Sequence, residues 1–91
     1  MYLEIISPEA TLFSGEVLSV SVPGLNGYFQ ILNNHAPIVS SLKKGNVTIE
    51  GDLVISEEFK SKFEKTANKT IFKIESGTIE MTKNRIVLLS D

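Results

Sequence analysis

Thr70-Ile71-Phe72-Lys73-Ile74-Glu75-Ser76-Gly77-Thr78-Ile79-Glu80-Met81-Thr82-Lys83-Asn84-Arg85-Ile86-Val87-Leu88-Leu89 is the stretch that decides the fold. Three short β-type runs, Thr70 to Ile74, Thr78 to Thr82 and Arg85 to Leu89, are cut by Glu75-Ser76-Gly77 and by Lys83-Asn84. Short apolar runs bounded by turn residues are the signature of strands, and these three predict a meander.

The same grammar extends back to the start of the chain. Tyr2 to Ile6 is a strand closed by Ser7-Pro8, because proline pre-sets a turn and cannot continue a ladder. Leu12-Phe13-Ser14-Gly15 leads into Glu16 to Val22, where Leu18, Val20 and Val22 alternate with Val17, Ser19 and Ser21. Period-two alternation puts the first set on one face and the serines on the other. Pro23-Gly24 breaks that run, Tyr28 to Leu32 is the next strand, and Asn33-Asn34 ends it. Ile38-Val39 continues briefly before Leu42-Lys43-Lys44-Gly45 turns the chain. Val47-Thr48-Ile49 and Leu53-Val54-Ile55 flank Glu50-Gly51-Asp52, a hairpin-type interruption. Many short strands at roughly 8–12-residue spacing predict an all-β sandwich or barrel.

Ser56 to Ala67 departs from this pattern. Phe59, Phe63 and Ala67 recur every four residues, acids come early and lysines late, and Ser56 is a candidate cap. This predicts one short helix, with an extended, twisted hairpin as the rival reading.

Composition bounds the function. With 91 residues the chain is expected to form a single domain, 1–91, with an adequate but thin core. A formal charge of −2 argues against a general nucleic-acid binder, which needs a basic footprint. Without cysteine, neither a disulfide framework nor a thiolate metal site is available. The first residues enter a strand pattern directly, so no signal peptide is expected, and no apolar run approaches the roughly 20 residues that span a bilayer.

Candidate chemistry is sparse. The only histidine, His35, lies in a His35-Ala36-Pro37 corner, and no serine sits in the strand-turn-helix elbow that a nucleophile requires. The simpler reading is that His35 hydrogen-bonds to backbone and closes the corner, with Pro37 stiffening the exit. Glu57 and Glu58 are adjacent rather than convergent, which leaves no metal site and no calcium loop. Gly24-Leu25-Asn26-Gly27 is neither a dinucleotide fingerprint nor a phosphate loop, and it reads as a tight turn. Leu25, displayed between glycines, is either folded back into the core or offered to a partner. Tyr28 and Phe29 are adjacent, so only one of them can serve a binding face. A catalytically silent domain whose business is contact with other proteins is what survives, with no cofactor and no metal. A free-standing ligand-binding β-sandwich and a small hydrolase centred on His35 are the rival classes. His35→Ala separates them, since an enzyme would lose turnover with its fold intact.

At this point the residues resemble a family. Ile6-Ser7-Pro8-Glu9, Leu12-Phe13-Ser14-Gly15-Glu16-Val17, Val22-Pro23-Gly24, Gly27, Phe29, Ile31-Leu32, His35-Ala36-Pro37, Leu42 and Gly45 occur in the order found in the amino-terminal domain of F-type ATP synthase epsilon subunits. Ser76-Gly77-Thr78-Ile79-Glu80-Met81 and Arg85-Ile86-Val87-Leu88-Leu89 resemble that domain's last strands, so only about residues 50–69 stand outside the likeness.

The resemblance implies a β-sandwich of about ten short strands. It further implies a non-catalytic place in the central rotor stalk, on the gamma subunit and on the polar loops of the membrane c ring. There the domain would help couple ion-driven rotation to ATP synthesis in other subunits. The expected location is peripheral, on the cytoplasmic face of a bacterial plasma membrane. On this likeness Leu25, Asn26 and Tyr28 face the ring, whereas His35, Ala36, Pro37 and Leu42 face gamma or shape the loop. Three departures follow. Tyr28 stands where an acidic residue is usual, so a charge contact is expected to give way to stacking and a hydrogen bond from the tyrosine. Gln30 stands where glycine is common and Asn33 where proline is common, which implies a different backbone shape at this corner. Residues around 52–69 read as an insertion on a peripheral edge. Many relatives continue into two α-helices that brake ATP hydrolysis. With the sequence ending at Asp91 the expectation is a short form without that brake, so that function is not carried over.

Overall fold

A computed structural model describes residues 1–91. Ten strands run in chain order: β1 (Tyr2–Ile6), β2 (Thr11–Glu16), β3 (Ser19–Gly24), β4 (Gly27–Leu32), β5 (Ile38–Leu42), β6 (Gly45–Glu50), β7 (Phe63–Thr66), β8 (Lys69–Ile74), β9 (Gly77–Thr82) and β10 (Arg85–Ser90). A 3-10 helix, Glu57–Lys62, precedes β7. The ladder runs β2-β1-β10-β9-β5-β3-β6-β8-β7, with β4 also paired to β3. β5 and β3 share one bridge, Gly24 opposite Leu42, and the ladder folds over there. The two layers of the sandwich are thus β2-β1-β10-β9-β5 and β4-β3-β6-β8-β7. All neighbours are antiparallel except β1 and β10, which run parallel with Tyr2 opposite Arg85 and Ile6 opposite Leu89.

Twenty apolar side chains form one buried core between the layers. Leu3 and Ile5, Ile86 and Leu88, and Ile79 and Met81 face inward from one layer. Val20 and Val22, Val47 and Ile49, and Phe72 and Ile74 meet them from the other. Burying each such side chain contributes about 1.5–3 kcal/mol, so the strand alternation itself is the main source of stability.

Three sequence expectations are corrected. The last three strands are not a meander: β9 and β10 form a hairpin, but β8 pairs with β6 and β7. Glu75-Ser76-Gly77 instead carries the chain from one layer to the other. The alternating pattern of β8 and β9 is satisfied equally by sharing a ladder or by facing each other across a core, and the sandwich uses the second option. Crossing is tight at Gly77, where an added Cβ would lie 2.5 Å from the Leu89 carbonyl oxygen.

Glu16 to Val22 is likewise two strands rather than one. β2 ends at Glu16 and β3 begins at Ser19, so the alternation resets between them. Val17 is buried and Leu18 is exposed, the reverse of the expected phase, and the Leu18 amide donates to the Glu50 carbonyl at 2.8 Å. Ser19 is buried because its hydroxyl is satisfied, donating to Glu50 Oε1 at 3.0 Å.

Leu53-Val54-Ile55 does not return as a hairpin partner of β6. Leu53 and Ile55 are buried and Val54 is exposed, yet the segment belongs to no strand. The Ser56 to Ala67 region divides between its two readings. Glu57–Lys62 is helical without a side-chain cap from Ser56, and Phe63–Thr66 is a strand that hairpins onto β8. Phe63 stacks on Phe72 with ring centroids 5.1 Å apart, which favours the ladder over a longer helix.

Candidate docking surface

Gly24-Leu25-Asn26-Gly27 joins β3 to β4 as a two-residue tip, with Gly24 opposite Gly27. Gly27 takes the strained backbone conformation, φ +125°, while Asn26 is not among the residues with positive φ. Gly24 is required for a different reason: an added Cβ would lie 2.8 Å from the Phe29 ring and 2.9 Å from the Gly27 carbonyl oxygen. Leu25 does not fold back into the core and is 62% exposed, beside an exposed Asn26. Phe29 points inward, and Tyr28 points outward. The Tyr28 hydroxyl accepts a hydrogen bond from the Asn46 amide at 2.9 Å, so its ring is laid along the outer face of the layer rather than left free.

β4 carries the chain away from this tip to the His35 corner. His35, Ala36 and Pro37 are all exposed. His35 is bonded to backbone at this corner: Nδ1 donates to the Ala36 carbonyl at 2.7 Å, and the His35 amide donates to the Leu32 carbonyl at 3.1 Å. β5 then runs back, so Leu42 lies opposite Gly24, at the tip end of the molecule. Leu42 is 3% exposed and packs in the core. Its side chain is therefore not offered as a contact on an exposed surface. The structure brings Leu25, Asn26 and Tyr28 together at one end and His35, Ala36 and Pro37 together at the other. Leu42 is separated from the group to which the sequence assigned it.

The sequence marks Asn33, Asn34 and Asn84 as turn residues, and Asn33 as a departure from proline, but not as partners of one another. Asn84, in the β9–β10 turn, accepts from the Asn34 amide through Oδ1 at 2.7 Å and donates through Nδ2 to Asn33 Oδ1 at 2.8 Å. The Met1 amino group also donates to Asn33 Oδ1, at 3.3 Å. A proline at position 33 would supply neither of the two bonds that Asn33 Oδ1 accepts. Asn34 and Asn84 both sit in the left-handed region, at φ 62° and 61°, which asparagine tolerates better than most residues. Two asparagine-bearing turns far apart in the sequence were the only available signal.

Fold and surface together define a two-layered β-sandwich with an exposed hairpin tip at one end and a braced, exposed corner at the other. A family model described as the beta-sandwich domain of the ATP synthase delta/epsilon chain matches residues 1–91, and the chain belongs to that family. The ATP synthase epsilon chain of Chlorobium limicola is 37% identical over 89 residues, covering 98% of this chain and 86% of that protein. That of Campylobacter curvus is 34% identical over 91 residues, covering all of this chain and 60% of its own length. A solved structure of the central stalk and c ring of Tetrahymena thermophila mitochondrial ATP synthase contains a chain of the same fold. Its TM-score is 0.71 at 13% identity, over 99% of this chain and 62% of that one. No helix of the protein is long and apolar enough to cross a membrane.

Proposed function

We propose that this chain is a non-catalytic rotor subunit of an F-type ATP synthase, docking on the gamma subunit and the c ring. It would help couple ion-driven rotation to ATP synthesis in other subunits, held at the cytoplasmic face of the membrane only through the complex. The family match over the full described chain carries the reading. The two exposed ends support it mechanically. A subunit that transmits torque needs separate contacts on separate partners, and here Leu25, Asn26 and Tyr28 are assigned to the ring. His35, Ala36 and Pro37, at the opposite end, are assigned to gamma. Both clusters stand on short, hydrogen-bonded turns, so force applied at one end reaches the other through paired strands rather than through flexible loops.

Native mass spectrometry of the chain mixed with gamma from the same genome tests this. A one-to-one complex weakened by His35→Ala, with wild-type folding retained, is the expected result. No complex at micromolar concentration, with both proteins folded, would overturn the gamma assignment and favour a free-standing ligand-binding sandwich.

A further inference from the structure

The two sheet edges on one side of the sandwich are left unpaired. β7 bonds only to β8, and β2 only to β1. Between them runs Leu53-Val54-Ile55, an extended segment in which no residue takes part in a backbone–backbone hydrogen bond. It lies against β2 on one side, sharing a depression with Thr11 to Ser14, and against β7 on the other. Backbone amides and carbonyls are obligatory hydrogen-bonding groups, and a row of unpaired ones along an edge is a template for another strand.

On the β7 side the segment forms a cleft of about 450 Å³ lined by Leu53, Val54, Ile55, Lys60, Phe63 and Lys65. Its floor is apolar and both ionisable groups on its rim are lysines. Lys65 Nζ donates to the neutral Leu53 carbonyl at 3.1 Å, so its charge has no counter-ion there. Lys60 pairs with Glu57 at 2.8 Å, an exposed contact worth little in water. Glu64 lies on the opposite face of β7, beside Ile71 and Lys73, and does not neutralise the cleft.

We propose that this cleft takes an extended acidic polypeptide segment of a partner protein, which adds a strand to β7. An added strand would draw main-chain hydrogen bonds from β7 and Leu53–Ile55, set alternate apolar side chains against Val54 and Phe63, and offer carboxylates to Lys60 and Lys65. A second copy of this chain is the poorer occupant, because pairing β7 with β7 would bring the same lysines together. The inference does not rest on the rotor reading, since it concerns the side of the sandwich, not its ends.

Titrating the ¹⁵N-labelled full chain with the peptides Ac-Glu-Val-Glu-Val-Glu-Val-NH2 and Ac-Lys-Val-Lys-Val-Lys-Val-NH2 tests it. The acidic peptide is expected to move the amides of Leu53–Ile55 and Phe63–Thr66 in a saturable way, more weakly as salt is raised. The double variant Lys60→Gln, Lys65→Gln keeps donors of similar length on two exposed residues and should bind about tenfold more weakly, as loss of two exposed charge pairs implies. Leu25→Ser should bind unchanged. No saturable shift up to millimolar peptide, an equal response to the lysine peptide, or shifts centred on Thr11–Glu16 would overturn the proposal. Concentration-dependent shifts at Phe63–Thr66 without peptide would overturn it in favour of self-association.

Discussion

The Tyr28 hydroxyl and the Asn46 amide, 2.9 Å apart, tie the β3–β4 tip to the start of β6 across the outer face of one layer. The packing is close enough that a Cβ on Gly45 would lie 2.6 Å from the same hydroxyl. Tyr28→Phe keeps the ring and removes the acceptor. Because Asn46 is exposed, its amide can turn to water, and the cost should be only about 0.5–1 kcal/mol. Hydrogen exchange at Asn46 should speed up while the core amides of β6 are unchanged. Unaltered exchange at Asn46 would mean that the bond contributes nothing in solution.

Gly24→Ala should destabilise the fold by about 1–3 kcal/mol, because the new methyl meets the Phe29 ring and the Gly27 carbonyl at once. The ring can shift but the carbonyl belongs to the turn itself. Urea unfolding measures the loss. A stability equal to wild type would show that the tip relaxes freely.

Thr70 is fully buried in β8, opposite Ile49, and its Oγ1 has no hydrogen-bond partner. An unsatisfied buried hydroxyl costs about 1–3 kcal/mol, and Thr70→Val removes it at nearly constant volume. This substitution is expected to raise the melting temperature, as calorimetry would detect. A lower melting temperature would reveal a hydrogen bond at Oγ1 in solution.

Asn84 braces the His35 corner by two side-chain bonds while holding a left-handed backbone. Asn84→Ala loses both advantages, whereas Asn84→Gly loses the bonds but accepts the backbone without strain. The glycine variant should therefore be the more stable of the two by about 1 kcal/mol, although both fall below wild type. If the two variants unfold at the same denaturant concentration, backbone strain is not what selects asparagine there.

The sequence made eight of the ten strands legible through apolar alternation and turn residues; β7 falls where the rival hairpin reading did, and β2 is hidden in the lead-in to the run of β3. What it left ambiguous was partnership. The Phe72/Ile74 and Ile79/Met81 patterns state that each strand has a buried face, but not whether β8 and β9 lie side by side or face to face. Leu18 was misphased because Val17-Leu18 keeps the apolar rhythm through the crossing from one layer to the other, which has no glycine or proline to mark it. At the candidate surface, Leu25, Asn26 and Tyr28 lie together because they are neighbours along one hairpin. Leu42 comes beside Gly24 only through the return of β5, which nothing local announces. Asn33 and Asn84 were invisible as a pair because nothing local to either turn announces the other.

The parallel pairing of β1 with β10 has a consequence for how the protein is made. β1 holds its place between β2 and β10, and Leu3 and Ile5 are sealed only when Ile86 and Leu88 lie alongside. During translation the earliest strand must therefore wait for the latest, with no local hairpin able to complete its burial. Closing such a long loop before any contact rewards it is slow, and folding in milliseconds to seconds is the expectation for so non-local a topology. A nascent chain halted before Arg85 would hold β1 and β9 with bare facing edges, a state prone to pairing with its neighbours on the polysome.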